Sequence, residues 1–361
     1  MNSKFVKVLI YVFVVIFSFA CSSFNYSYKI PSDENDGLNP ASLESVGLDS
    51  LKIIDLIRSI NNEEFINVHS ILISKNNKLV FEEYFDGNTK HTKHSLRSAA
   101  KSLTSALTGI AIDKGYIKNS DQKVLNIFDY PSIKNWDKRK RKLKIKHLLT
   151  MSAGLDCGKI MDPNSNCGQK MNEVRDPFRY ILDLPIVHEP GEHFAYSDAY
   201  SLLTIGLIGV STNMQTTIFQ EKYLLRPLGI EKDPNNGGIS SRSMLKFGLL
   251  YLNKGTWNGE RIVSEKWINE STGIHVKNPN NYMDGYGYYW WHKTFEINGN
   301  FYNTFFAAGN GGQYIFIIPQ EKLVVVLTGG NYVGFDFQPS FKVRSQPYYI
   351  LADYILPALP E

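Results

Sequence analysis

Cysteine is scarce, with three residues in 361, and that excludes a small scaffold stapled by disulfides. The eight histidines fall into no spacing of the H-E-x-x-H kind, and two cysteines without further ligands nearby do not make a metal site, so neither metal nor cofactor is expected. Excess charge of one sign is also missing. Thirty-nine Lys and Arg against 35 Asp and Glu leave a net charge of +4, too little to point to nucleic acid as a partner. Internal repeats and low-complexity blocks are absent. What remains is the composition of a globular chain long enough to bury a large core as one composite domain or two smaller ones. One local exception is KRKRKLKIK at 138–146, where seven of nine residues are basic. Such a run is either a solvated connection or strand edge, or a contact for an anionic surface such as lipid head groups.

The N-terminus places Lys4 and Lys7 before an apolar run from Val8 to Ala20, the form of an export signal and too short for a comfortable membrane span. The run ends at Ala20-Cys21-Ser22, which resembles a bacterial lipoprotein cleavage site with Cys21 as the lipid-bearing residue. Ser18 and Phe19 depart from that pattern, and a simple signal or an uncleaved anchor is the alternative. The expectation is therefore an exported lipoprotein, held to the membrane by an N-terminal lipid and facing the periplasm or cell surface. Cys157 and Cys167 would share that oxidising compartment, as a disulfide or as two free buried thiols.

Residues 22–46 are polar and aperiodic, which reads as a flexible tether after a signal at 1–21. Helical periodicity begins at LDSLKIIDLIRSI, and HSILISKNNKLVFEEYF reads as a hairpin turning at Asn76-Asn77. The stretch 117–235 reads as helices and loops, SRSMLKFGLLYLNKG as a helix stopping at Gly255, and the aromatic and β-branched runs from 286 to 330 as antiparallel strands. A closing helix is expected over SQPYYILADYILPAL. Strands with helices at both chain ends and a helical insertion between them predict an α+β fold, with 47–116 and 236–361 forming an α/β domain around a helical domain at 117–235.

Three short motifs carry chemistry. SLRSAAKSLTSALTGIAIDKGY, 95–116, reads as an amphipathic helix with Leu103, Ala106, Leu107 and Ile110 on one stripe and Gly115 as its stop. Ser98 and Lys101 lie off that stripe, on adjacent ridges where the helix begins, so a hydroxyl and an amine can meet. A serine is a weak nucleophile unless a neighbour takes its proton. The second motif is Tyr196-Ser197-Asp198 at the head of another apolar helix; its bland reading is an amphipathic core tyrosine. The third is Ala307-Ala308-Gly309-Asn310-Gly311-Gly312 leading into a strand, where glycine permits close approach of a ligand or backbone, or simply makes a hairpin turn.

In this order the motifs resemble the serine β-lactamase and penicillin-binding-protein superfamily, in particular the class C-like hydrolases that include esterases and 6-aminohexanoate-dimer hydrolase. IKHLLTMSAGL and GGISSRSMLKFGLLYLNKGTWNGERIVSEKWI add to the likeness, which covers roughly residues 45–355. The resemblance implies a β-lactamase/transpeptidase-like fold and an acyl-enzyme cycle on a small ester or amide. In that cycle Ser98 is the nucleophile, Lys101 and Tyr196 move its proton, and the backbone N–H groups of Ser98 and Asn310 form the oxyanion hole. Ala307, Gly309, Gly311 and Gly312 would belong to the substrate-lining strand. Two departures stand out. Asp198 replaces the usual Asn or small polar residue and favours an ammonium at Lys101, leaving Tyr196 as the base; Ala307 stands where β-lactamases carry a cation that holds a carboxylate. Arg97 or Lys293 could supply one from a loop. The alternatives are a peptidoglycan D,D-peptidase or β-lactamase, and a non-catalytic binding protein on the same fold.

Overall fold

The structure, a computed structural model, describes residues 26–158, 166–333 and 339–360. The expected signal at 1–21, with Cys21, lies outside the described residues.

A nine-stranded sheet organises the chain. Its strands are β1 (Asn39–Pro40), β2 (Val68–Lys75), β3 (Lys78–Tyr84), β4 (Val276–Asn280), β5 (Met283–Tyr286), β6 (Trp291–Ile297), β7 (Asn300–Gly309), β8 (Gln313–Ile318) and β9 (Leu323–Gly329). The spatial order is β1-β3-β2-β9-β8-β7-β6-β5-β4, antiparallel throughout except for the β1–β3 pair. The hairpin turns at Asn76 and Asn77, both with positive φ, which asparagine tolerates better than most residues. The two ends of the chain meet where β2 pairs with β9, Leu72 opposite Val326.

Alternation along these strands feeds two cores, one on each face. Leu72, Ile315, Ile317, Val324 and Val326 point into the larger one, and Ile71, Ile73, Phe316, Val325 and Leu327 into the other. The second face is covered by α1 (Ser50–Asn61), whose Ile53, Leu56, Ile57 and Ile60 keep helical spacing and whose cap, Asp49, accepts from Leu51 N. On the first face lie α2 (Ala100–Asp113) and α4 (Ser241–Leu252), with α3 (Asp198–Thr212) packed behind α2. Gly248 of α4 lets this helix settle on the sheet: a Cβ there would stand 2.6 Å from Val324 and 2.9 Å from Ile315.

Two expectations change. First, α2 is not amphipathic in the structure, since every residue from Lys101 to Ala111 is buried. On the small polar side that opposes the Leu103 stripe, Ser102 Oγ donates to Tyr289 O at 2.7 Å and Thr108 Oγ1 to Thr104 O at 2.9 Å, while Trp267 Nε1 donates to the Ser105 carbonyl at 3.0 Å and the Ser105 hydroxyl is buried without a hydrogen-bond partner. Second, the tether expected at 22–46 is docked from Tyr26 onward. Tyr26 Oη donates to Glu83, Tyr28 Oη to Val80 O at 2.8 Å, and Leu38 and Leu43 are buried. The basic run is a connection with Lys138, Arg141 and Lys142 exposed, as the solvated reading has it, and several of its charges also find partners within the chain. Arg139 pairs with Asp137, Lys142 with Glu189, and Lys144 and Lys146 with Asp121, while the buried Lys140 donates to the carbonyls of Lys134 and Leu182. Cys157 and Cys167 are bridged, with Cα atoms 5.0 Å apart.

Candidate active site

Ser98 lies in a 3₁₀ turn, Arg97–Ala99, that runs straight into α2. The residue before it, Arg97, has φ of 51°, an uncommon conformation for a long side chain and a sign of a tightly held turn. One turn on, Lys101 points back: its Nζ donates to Ser98 Oγ at 3.2 Å and to Asp198 Oδ1 at 2.6 Å. The helix geometry thus brings together the serine and lysine whose spacing drew attention to them.

Tyr196 and Asp198 reach this point from the start of α3. Ser197 caps that helix by accepting from Ala199 N at 3.2 Å, and Asp198 occupies its first turn, where the helix dipole favours a carboxylate. The strap before it is laid along the segment that follows Ile145–Leu149. Gly191 N donates to Ser152 O at 2.8 Å, Ala195 N to Met151 O at 2.7 Å, and Ser197 N contacts Met151 Sδ at 3.5 Å. Met151 itself has φ of 54°. The Tyr196 ring stacks on Trp291 with centroids 5.6 Å apart and 20° between planes, and Lys101 Nζ lies 5.0 Å from the tyrosine centroid.

Burial by itself pushes the Lys101 amine down, but the phenolic oxygen of Tyr196 and the Asp198 carboxylate oppose it more strongly, and the amine is held above the ordinary lysine range. The lysine side chain is 9% exposed and that of Asp198 51%. This arrangement stores a positive charge beside the serine oxygen.

The third motif closes the site from the sheet. The end of β7 passes so near the Ser98 turn that a Cβ on Gly309 would stand 2.1 Å from Leu96 O and 3.2 Å from Ala99 N; only glycine fits there. The Asn310 side chain clamps one peptide of the following loop, Nδ2 donating to Val333 O and Oδ1 accepting from Val333 N, both at 2.7 Å. Gly311 and Gly312 have φ of 96° and 99°, so their glycines serve the turn as well as the approach. Ala307 departs from its expected place: it is 1% exposed and packs into the larger core, whereas Ala308 and Gly309 line a cavity of about 320 Å³. That cavity borders Tyr196 and Trp291, and Tyr196 in turn lies beside Lys101, whose Nζ is 5.0 Å from its ring centroid. The charged residue among its described lining is Arg344, which sequence reasoning did not single out, as it did not Trp291. Of the cations considered from loops, Arg97 stacks over Tyr332 at 5.1 Å, and Lys293 Nζ donates to Tyr282 O at 3.1 Å. No group of three or more His, Cys, Asp or Glu able to hold a metal exists among the described residues.

Comparison with known proteins agrees with this fold. Protein flp of Staphylococcus aureus is 29% identical over 174 residues, 44% of this chain and 33% of that protein, so the chain spans about a third of the length of the curated relatives it matches. Among solved structures, a proposed beta-lactamase from Bacteroides dorei superposes with a TM-score of 0.67 at 18% identity, covering 86% of this chain and 99% of the other. A proposed 6-aminohexanoate-dimer hydrolase from Bacillus anthracis gives 0.62 at 20% identity, covering 84% and 83%. These likenesses establish the β-lactamase/transpeptidase fold. Residues 55–233, which contain Ser98, Lys101, Tyr196 and Asp198, match the family described as Beta-lactamase.

Proposed function

We propose that the protein hydrolyses ester or amide bonds of small substrates through an acyl-enzyme on Ser98. The observation that carries this reading is the Ser98 oxygen placed 3.2 Å from an ammonium that is itself anchored 2.6 Å from Asp198. A cation so placed favours anionic oxygen nearby, and Tyr196, whose ring lies 5.0 Å from Lys101 Nζ, takes the role of base in this reading. In the proposed cycle the Ser98 hydroxyl loses its proton to Tyr196 as Oγ bonds to the substrate carbonyl carbon. The backbone N–H groups of Ser98 and Asn310 receive the developing oxyanion. Collapse breaks the bond to the leaving group, which takes the proton from Tyr196; water, activated by the same phenolate, then releases the acid and restores Ser98. An export signal ending in a lipid-bearing Cys21, with the folded part facing the periplasm or cell surface, is proposed on the sequence alone.

A β-lactam or D,D-peptide substrate is the second reading, and Arg344 in the cavity is the observation that favours it. Against it, the strand position that would hold a carboxylate-binding cation is Ala307, buried in the core. Loss of a charge-assisted hydrogen bond costs about 1.5–3 kcal/mol, roughly 10- to 150-fold in kcat/KM. Purified protein is therefore expected to turn over p-nitrophenyl butyrate with a kcat/KM at least about tenfold above that for nitrocefin. The reverse ranking transfers the function to the second reading, and no turnover or covalent labelling at all makes the chain a binding protein.

The role of Lys101 has its own test. Because Asp198 is one of the groups holding the amine up, Asp198→Asn brings it down. If the ammonium is the working form, the alkaline limb of the kcat/KM profile moves to lower pH in this variant. Activity that instead rises through that range identifies neutral Lys101 as the base.

A further inference from the structure

A second concavity adjoins the first. Met283, Arg344 and Tyr348 line both the cavity that reaches Tyr196 and Gly309 and an outer groove of about 480 Å³. The groove is walled by Tyr282 from the β4–β5 turn and by Phe341 and Tyr349 from the C-terminal helices. These rings are 61%, 52% and 38% exposed. Tyr282 and Phe341, far apart in sequence, face each other with centroids 5.6 Å apart. Neither packs into either core. Three exposed aromatic side chains around one groove, beside the cavity that reaches Tyr196, are unusual unless something apolar covers them. Lys293 and Arg344 are the charged residues among the described lining, and no acid stands there to repel an ester oxygen or a released carboxylate.

The geometry points to this groove as the seat of the substrate's acyl tail: the preferred substrates are esters or amides of an unbranched apolar acid long enough to pass Met283 and Tyr348 and lie between Tyr282 and Phe341. This inference rests on the acyl-enzyme reading, deepening it from bond type to substrate class. The adjacency of the two cavities, which share Met283, Arg344 and Tyr348 as walls, selects this occupant over a second copy of the chain. A buried methylene favours binding by up to roughly fourfold, and an open groove realises only part of that along the tail.

The full chain is assayed with p-nitrophenyl acetate, butyrate and octanoate below their solubility limits, alongside the double variant Tyr282→Ser/Phe341→Ser. In the native protein kcat/KM is expected to rise at least about tenfold from acetate to octanoate. In the variant the octanoate-to-acetate ratio falls to within about threefold of unity. Acetate turnover with a flat chain-length profile overturns the groove and leaves the hydrolase standing, whereas no turnover and no burst with any ester overturns the hydrolase reading itself. A preference for octanoate that survives the double substitution also overturns the groove. So does sedimentation showing a dimer that the variant converts to monomer without altering the ratio, since the patch then belongs to a second copy.

Discussion

Ser98→Ala abolishes covalent labelling by a fluorophosphonate probe and lowers ester turnover at least about 10⁴-fold. The hydroxyl is the group that Lys101 Nζ approaches at 3.2 Å, and Ala99, which follows it, is pressed against Gly309. Folding is expected to survive. Ser98 provides no side-chain cap to α2, so its removal costs about one ordinary hydrogen bond, on the order of 1 kcal/mol. Lys101 meanwhile keeps its partner Asp198 at 2.6 Å. A variant that melts near the native temperature yet no longer labels isolates chemistry from stability. Labelling that persists places the nucleophile elsewhere and removes the basis of the acyl-enzyme.

How much of this could be read from residues alone depends on how local each signal is. The hairpin at Asn76-Asn77, the strands after 286 and the Ser98–Lys101 pair are set by contacts within a turn or by a short period, and the sequence displays them. The β2–β9 pairing is not local: Leu72 and Val326 are brought together only by closure of the whole sheet, and no property of either strand names its partner. The full burial of α2 was hidden for a related reason. Ser102 and Ser105 look like part of a solvent face until Tyr289 accepts from the one and Trp267 donates to the carbonyl of the other. Residues 26–46 offered few large apolar side chains, and what docks them includes tyrosine hydroxyls bonded to strand β3. Polar composition reads as disorder when its partners lie in another segment. Ala307 illustrates the remaining gap. Its place in a motif was visible, but its burial beneath the Ser98 turn follows from strand alternation fixed by the close approach at Gly309. Arg344 and Trp291 carried no motif at all.

The proton path gives the second large effect: Tyr196→Phe is expected to lower kcat about 10²-fold or more, with little change in KM. The ring keeps its place, because its packing is against Trp291 at 5.6 Å and Tyr286 at 6.5 Å, contacts that phenylalanine repeats. What disappears is the phenolic oxygen, and with it the base that takes the Ser98 proton and returns it to the leaving group. The substitution also perturbs Lys101, since Tyr196 heads the influences that raise the amine against its burial. The amine therefore titrates lower in the variant, and its neutral fraction at a given pH grows. That change separates the two possible bases. If Tyr196 is the base, the rate stays low even at the alkaline pH where Lys101 has become neutral. If Lys101 is the base, the variant recovers to within about tenfold of the native rate as pH rises, and recovers sooner than the native protein reaches its own maximum. Single-turnover acylation with p-nitrophenyl butyrate across pH 6 to 10 reads this directly, because it follows the step in which Ser98 gives up its proton.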